Sequence, residues 1–272
     1  MLASFVLSLR EGLEAALIIG VLLGSLKKLG QVEGQRTIWI GAGVAVILSV
    51  LAGILLNLLG ANFQGRAEEI FEGITMLLAA VILTWMIFWM RAQAQKVTQT
   101  LEADVTGAVL KNSSFALFSL AFVAVIREGV ELAIFLTAAG LDSDGSEILI
   151  GAGLGLAVVV ILAFLLFKSL IRLNLARFFQ VTSIILILFA AGLTAHGIHE
   201  FNEAGIIPSI IEHVWDINHI LDEKSTLGAI LGTLLGYNGN PSLTEVGSYL
   251  IYFIVIGISW FRVKDRSTSN GR

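Results

Sequence analysis

Long apolar stretches alternate with short polar segments along the whole chain. A stretch of about 20 apolar residues forms a helix long enough to span the roughly 30 Å hydrocarbon core of a bilayer. The pattern therefore predicts an all-α integral membrane protein with seven transmembrane helices. The predicted spans cover residues 3–26, 37–60, 70–90, 114–139, 147–168, 178–198 and 246–262.

Three shorter segments lie between the predicted spans. Residues 91–112 have an amphipathic pattern that predicts a short cytoplasmic helix. Residues 205–224 mix isoleucines with acids and histidines, which suits a helix lying on the outer membrane interface. Residues 226–237 are apolar but too short to span, so we expect a re-entrant turn.

Composition supports the membrane assignment. The 272 residues are 56% hydrophobic and only 14% charged, whereas a soluble domain carries about 25% charge. The absence of cysteine excludes disulfides, thiolate metal sites and iron–sulfur clusters. The first stretch lacks a basic segment and a cleavage site, so we expect a retained span and not a signal peptide. No phosphate-binding loop, dinucleotide motif or nucleic-acid signature is present.

The basic residues predict the orientation. Thirteen of the 17 Lys and Arg residues lie after spans one, three and five or in the C-terminal tail. Only Arg66 and Lys224 lie on the opposite side. Cytoplasmic loops carry the excess of positive charge, so the N-terminus is expected outside and the C-terminus in the cytoplasm. Thirteen of the 21 acids fall on the outer side, where they either concentrate cations or only solvate the loops.

An internal repeat divides the chain. Residues 38–43 read IWIGAG and residues 148–153 read ILIGAG, and a charged motif also occurs twice in the same order. Because each repeat has three spans, the two copies have opposite topologies, which is typical of transporters. We expect one transmembrane domain, 1–272, with repeat A (1–90), a cytoplasmic linker (91–113), repeat B (114–200), an outer interfacial segment (201–245) and a final span (246–262).

The repeated charged motif lies inside spans one and four. It reads Arg10-Glu11-Gly12-Leu13-Glu14 and Arg127-Glu128-Gly129-Val130-Glu131. Residues three or four apart share a helix face, so each arginine can reach the second glutamate of its motif. The glycines remove bulk where a helix or an ion must come close.

Four carboxylates would converge if spans one and four touch. With two guanidinium groups, the metal ligands Glu11, Glu14, Glu128 and Glu131 would form an oxygen-only site of net charge -2, which suits a hard cation. Arg10 and Arg127 would brace this site when it is empty. The alternative is a pair of structural salt bridges, but buried ion pairs are poor sources of stability and each motif has one acid in excess.

Further acids and histidines lie near the outer ends of the spans. Glu68, Glu69 and Glu72 share one face at the start of span three, where they could receive a metal or only favour the helix dipole. A second group ends span six with a spacing that suits a metal, although interfacial solvation explains it equally. That group is His196, His199, Glu200 and Glu203.

The motifs resemble those of the high-affinity iron permeases, which include the fungal ferroxidase-coupled permease and bacterial Efe-type permeases. The resemblance rests on Arg-Glu-x-x-Glu in spans one and four and extends over the chain. Further similarity to the bacterial branch lies in residues 71–74, 82–91 and 171–175.

The resemblance implies iron uptake across the cytoplasmic (inner) membrane, with iron handled as Fe(III) by the motif glutamates. It also implies a separately encoded extracytoplasmic oxidase, peroxidase or iron-delivery protein as a partner, beside membrane lipid. We expect no enzymatic activity, no catalytic residues, no nucleic-acid partner and no permanently bound cofactor, with iron as the cargo. Two alternatives stay open: a permease for Fe(II), Mn(II) or Pb(II), or a membrane-embedded carboxylate–metal enzyme.

Overall fold

The computed structural model describes residues 1–111, 113–141, 145–168, 174–223 and 225–269, with the backbone alone at 91–98, 226, 229, 233, 234 and 261–269. Within these ranges every regular element is an α-helix. The helices are α1 (Leu2–Lys28), α2 (Gly34–Ala61), α3 (Arg66–Leu110), α4 (Ser114–Leu141), α5 (Gly145–Phe167), α6 (Leu175–Glu203), α7 (Thr226–Leu235) and α8 (Leu243–Ser269).

Five helical segments are long and apolar enough to cross a membrane: α2, Arg66–Met90 of α3, α5, α6 and Leu243–Trp260 of α8. Helices α1 and α4 have comparable lengths of 27 and 28 residues. They differ from the five because each carries the three charged residues of a motif near its middle. The protein is therefore a helical, multi-pass membrane protein, and the seven-span count stays a prediction.

Helix α3 is longer than the sequence pattern predicts. It runs without a break for 45 residues, so residues 91–110 continue the third span and do not form a separate cytoplasmic helix. No glycine or proline occurs between Arg66 and Leu110 except at Gly73 and Gly107. Nothing in the local sequence therefore stops the helix at the predicted end of the span.

The prediction of an outer interfacial helix over residues 205–224 is wrong for residues 205–223, which are the part of this segment that the structure describes. Helix α6 ends at Glu203, and residues 204–223 form turns, bends and irregular chain. Gly205 and Ile210 both have positive φ values, 65° and 60°, and Pro208 lacks the N–H that a helix needs. The apolar stretch that follows forms only the ten-residue helix α7, with Ser225 as its N-cap and Gly236 as its C-cap.

Several residues used in the sequence predictions lie outside the described residues. They are Asp142 and Asp144 among the outer acids, residues 171–173 of the family-like run, and the charged residues Arg172, Lys224 and Arg272.

The described chain divides into two compact units. Unit 1 comprises Met1–Leu59 and Gln93–Thr182, and therefore contains α1, α2, the second part of α3, α4 and α5. Unit 2 comprises Gly60–Ala92 and Ser183–Arg272, and contains the first part of α3, most of α6, and helices α7 and α8. Both charged motifs belong to unit 1.

Close helix crossings in unit 1 use the glycines of the repeated IGAG sequence. A Cβ added to Gly151 of α5 would collide with Ser4 of α1. A Cβ added to Gly41 of α2 would lie 2.6 Å from the carbonyl oxygen of Phe118 and 3.3 Å from Ala121 Cβ on α4. Small residues thus let α5 approach α1, and let α2 approach α4, at backbone distance.

The two crossings match residue by residue. Gly41 and Gly151 are 110 residues apart, and Ser4 and Ala121 are 117 apart, which are the offsets of the two sequence repeats. A second matched pair lies deeper along the helices. A Cβ added to Gly12 of α1 would lie 3.0 Å from Val159 of α5, and a Cβ added to Gly129 of α4 would collide with Ser49 of α2. Gly12 and Gly129 are 117 residues apart, and Ser49 and Val159 are 110 apart.

Helices α1 and α4 run in opposite directions. Residue numbers rise together along the α1–α5 and α2–α4 crossings, so each of those pairs is parallel. The chain reverses direction between α1 and α2, over residues 29–33. A Cβ added to Gly34, at the start of α2, would lie 3.1 Å from Leu26 of α1 and 3.0 Å from Leu117 of α4. The end of α1 therefore lies beside the start of α4.

Unit 2 packs its helices through glycines and hydroxyl groups. A Cβ on Gly73 of α3 would lie 2.8 Å from Phe201 and 3.0 Å from the Gly197 carbonyl oxygen of α6. The hydroxyl groups of Thr84 on α3 and Tyr252 on α8 are 2.8 Å apart. These contacts join the first part of α3 to both α6 and α8.

Candidate metal centre

The first half of the site lies on α1. Arg10, Glu11 and Glu14 are 0%, 1% and 7% exposed. Arg10 Nε lies 3.2 Å from Glu14 Oε1, four residues later, and Arg10 Nη1 lies 3.9 Å from Glu11 Oε1. The helical period therefore places Glu14 beside the guanidinium group, as the spacing predicts, and Glu11 lies beside the same group.

The second half lies on α4 and repeats this arrangement. Arg127 Nε donates a hydrogen bond to Glu131 Oε1 at 3.0 Å and lies 3.7 Å from Glu128 Oε1. Glu128 and Glu131 are 3% and 8% exposed. Arg127 differs from its counterpart because 34% of its side chain is accessible, against 1% for Arg10.

Three carboxylates from the two helices meet inside unit 1. Glu11, Glu128 and Glu131 each contribute an oxygen, and these oxygens all lie within 4.8 Å of one another. Both oxygens of Glu11, and Oε2 of Glu128 and of Glu131, are buried and accept no hydrogen bond from the part of the chain that the structure describes. We refer to these three residues as the acid cluster.

The acid cluster has the chemistry of a cation site. Buried polar atoms are normally hydrogen-bonded, and like charges this close repel one another, so an empty cluster is unfavourable. A cation with metal–oxygen bonds of about 2.1 Å separates its ligand oxygens by up to about 4.2 Å. Small side-chain movements would therefore let all three acids bind one ion.

The fourth predicted ligand is close but lies outside this group. Glu14 stays beside Arg10 and is not among the three mutually close acids. Its counterpart Glu131 contacts Arg127 through Oε1 and keeps Oε2 inside the acid cluster. The two motifs are thus alike in sequence but unequal in how their second glutamate is used.

The motif glycines make room for helices. A Cβ added to Gly12 would lie 3.0–3.1 Å from the side chains of Leu156 and Val159 of α5, and a Cβ added to Gly129 would collide with Ser49 of α2. The prediction left open whether a helix or an ion needs this space. In the structure α5 and α2 occupy it, and they fix the rotation of α1 and α4 that turns the acids toward each other.

The acids predicted at the start of α3 do not form a three-carboxylate group among the residues described here. Glu68 and Glu69 lie in the first turn, and their backbone N–H groups bond to the Gly65 carbonyl. Glu68 is exposed and Glu69 is half-buried. Glu72 is half-buried. All three belong to unit 2.

Two of the acids and histidines that end α6, His199 and Glu203, form an ion pair with each other. His199 Nε2 lies 3.3 Å from Glu203 Oε1, and His199 Nδ1 lies 3.1 Å from Glu245 Oε1 of α8. His196 and Glu200 lie on the same helix and are half-buried. Because both ring nitrogens of His199 face carboxylates, this histidine connects α6 to α8 in the structure.

Glu245 is a structural residue that the sequence predictions did not single out. It is 2% exposed and accepts hydrogen bonds from Asn238 at 2.8 Å and from the Ser242 N–H at 2.9 Å. The Glu245 N–H in turn bonds to Ser242 Oγ. This Ser-x-x-Glu capping box before an apolar run was the signal in the sequence.

Comparison with known proteins places the chain among iron transporters. Residues 1–263 match the iron permease FTR1 family. The ferrous iron permease EfeU of Escherichia coli O6:K15:H31 is 40% identical over 256 residues, 93% of each chain. EfeU of Shigella sonnei has the same identity and coverage, and EfeU of Yersinia pestis is 36% identical over 271 residues, 99% of this chain and 96% of that protein.

No solved structure matches the chain. The family match nevertheless covers both charged motifs and all the helices named above except the end of α8. The doubled Arg-Glu-x-x-Glu motif and the near-complete coverage by its relatives show that the chain belongs to the FTR1 family of iron permeases.

Proposed function

We propose that this protein carries iron into the cell across the cytoplasmic membrane through the acid cluster of α1 and α4. The observation that carries the proposal is the meeting of three buried carboxylates within 4.8 Å of one another, each with an oxygen that accepts no hydrogen bond from the described residues, in a member of an iron permease family. Glu14 completes the ligand set when iron is bound, and Arg10 and Arg127 hold the empty site together.

The transport architecture is a 3+3 inverted repeat followed by one further span. Matched contacts support it, because the α1–α5 and α4–α2 crossings use residues related by the repeat offsets of 117 and 110. A two-fold rotation that exchanges α1 with α4 and α2 with α5 reproduces this pattern. In such transporters the substrate site lies near the membrane midplane where the repeats meet, and both motifs lie near the middle of their helices.

Two oxidation states of the transported iron, Fe(III) and Fe(II), each have support. An oxygen-only, anionic ligand set favours the harder ion, Fe(III), and this is our first proposal. The relatives are named ferrous iron permeases, which favours Fe(II) as the second. A separate extracytoplasmic oxidase or iron-delivery protein belongs with the Fe(III) proposal.

The test is uptake of radioactive iron into proteoliposomes that contain the purified full-length protein. Iron is offered as Fe(II) with a reductant or as a soluble Fe(III) chelate, with Mn(II) and Pb(II) as competitors. Each site acid is replaced singly, as in Glu128→Gln, and the exposed loop residue Glu33 is replaced in the matched control Glu33→Gln.

We expect uptake to be lost in Glu11→Gln, Glu128→Gln and Glu131→Gln and kept in Glu33→Gln. A neutral amide lacks the negative charge that offsets the charge of a metal ion inside a membrane. Normal uptake by all the site variants would refute the proposed site. Preferential uptake of Mn(II) or Pb(II) over both iron ions would refute iron as the cargo.

A further inference from the structure

Buried apolar side chains fill unit 1 on one side of the acid cluster. The side is the one where α1 ends and α4 begins, which we place in the cytoplasm. The buried members of this inner cluster are Ile19, Leu22 and Leu26 of α1, Ile38, Ala42 and Ala45 of α2, Val105 and Ala108 of α3, and Leu117, Ala121 and Val125 of α4.

The inner cluster begins one helical turn from the acids. Val125 precedes Glu128 by three residues, and Ile18, which packs against the cluster, follows Glu14 by four. From Ile18 to Leu26 the helix rises about 12 Å. Ser25, which lies between Leu22 and Leu26 in α1, is also buried.

The opposite side of the acid cluster is different. Its buried positions include the hydroxyl residues Ser4 and Ser8 on α1 and Thr137 on α4. Ser8 Oγ has no hydrogen-bond partner among the described residues. An ion arriving from outside therefore meets oxygen atoms before the acids. An ion leaving inward must pass the apolar side chains of the inner cluster, and Ser25 near the end of α1 is a buried hydroxyl residue on that side.

An ion cannot cross the inner cluster as it stands. Moving an unpaired charge into an apolar medium is strongly unfavourable, and a metal ion carries at least two charges. One of the four helical segments that form the cluster must therefore move before iron can leave.

Three of these segments are fixed by close contacts. A Cβ on Gly41 of α2 would lie 2.6 Å from the Phe118 backbone of α4. A Cβ on Gly34 of α2 would lie 3.1 Å or less from both Leu26 of α1 and Leu117 of α4. Helices α2 and α4 therefore meet at backbone distance, and the side chains of Leu26 and Leu117 pack tightly against the start of α2.

The fourth segment is the α3 extension, residues 99–110, and it is held more lightly. It inserts Val105, 0% exposed, and Ala108, 5% exposed, into the inner cluster. A Cβ on Gly107 would meet nothing within 4 Å. Its ion pair to α1, Lys28 Nζ to Glu102 Oε1 at 3.0 Å, is solvated, with side chains 74% and 44% exposed.

We propose that the α3 extension is the cytoplasmic gate of the iron path and must leave the inner cluster for iron to enter the cell. The proposal rests on the proposed function, because it takes iron to move from the acid cluster toward the cytoplasm. The gate has no counterpart after α6, because residues 204–223 that follow that helix are not helical.

A reversible cross-link tests the gate. The chain contains no cysteine, so Lys28→Cys with Glu102→Cys can be joined by a short cleavable thiol-reactive linker in proteoliposomes. We expect the linked protein to bind iron as the unlinked one does and to lose iron uptake, with uptake restored when a reductant cleaves the linker. Each single-cysteine variant treated with the same reagent is the matched control and should transport normally.

A second measurement follows the gate directly. Val105→Cys should be protected from a maleimide applied at the cytoplasmic face and should become reactive while iron is being transported. Uptake by the linked protein at the unlinked rate, or equal labelling of Val105→Cys with and without iron, would overturn the gate. Loss of iron binding on linking would overturn it too, whereas a failure of the untreated protein to bind iron would refute the proposed function.

Discussion

Arg10 and Arg127 occupy matching places in the two motifs but have different surroundings. Arg10 is fully buried between Glu11 and Glu14, whereas a third of the Arg127 side chain is accessible. Removing one partner of a buried ion pair leaves an uncompensated charge and costs about 3–5 kcal/mol. Water reduces this cost where a side chain is accessible.

Arg10→Gln should therefore lower stability more than Arg127→Gln. Both variants leave two buried carboxylates without their arginine, but Arg10 is buried whereas a third of the Arg127 side chain is accessible, so water can reach the space that Arg127 leaves. Thermal unfolding of both purified variants in detergent, without added metal, measures the difference. Equal losses of thermal stability in the two variants would mean that solvent accessibility does not determine how much each arginine contributes to stability.

Part of the site can be derived from residue spacing and part cannot. The spacing of four residues predicts the Arg10–Glu14 and Arg127–Glu131 pairs, and both form. Spacing does not determine whether the second glutamate, while it contacts its arginine, also reaches the acids of the opposite helix. Glu14 and Glu131 differ in this respect because the packing around each motif differs, and packing is a property of the fold.

At the level of helices, glycines decide which surfaces meet. Gly41 and Gly43 lie in the same short sequence, but only Gly41 faces a neighbouring backbone. The repeat copy behaves identically, since Gly151 faces α1 and a Cβ on Gly153 would meet nothing within 4 Å. One glycine of each pair is thus an interface residue.

Gly41→Ala should destabilise the protein by about 1–3 kcal/mol, because the new methyl group would push α2 away from α4. Gly43→Ala is the matched control, and it should be neutral or stabilising by up to about 1 kcal/mol, because alanine favours a helix. Chemical denaturation of the two variants in detergent compares them. A destabilisation by Gly43→Ala as large as that by Gly41→Ala would show that the crossing is not the cause.

Helix ends were harder to predict than helices. The apolar stretch of α3 ends near Met90, but the amphipathic residues after it favour helix equally and contain no breaker before Gly107. The reverse holds after α6, where isoleucines at helical spacing suggest a helix although Gly205 and Pro208 interrupt it. Hydrophobic periodicity indicates which residues are buried, and backbone chemistry determines where a helix stops.

For the whole molecule, the direction of transport depends on the number of membrane crossings. The five helical segments that satisfy length and composition leave out α1 and α4, which carry the acid cluster. If both of these cross the membrane, repeats A and B have opposite topologies. If either does not, the two halves of the acid cluster cannot belong to an inverted repeat.

Single cysteines placed in this cysteine-free chain test the crossing of α4. Gln64→Cys and Glu147→Cys, at exposed positions, should react with an impermeant maleimide in cells whose periplasm is accessible. Gln31→Cys and Lys111→Cys, also exposed, should react only after the inner membrane is opened, because the basic loops lie inside. Lys111 and Glu147 flank α4, so labelling of both from the same side would show that α4 does not cross. The inverted repeat, and with it a midplane acid cluster between oppositely directed helices, would then be excluded.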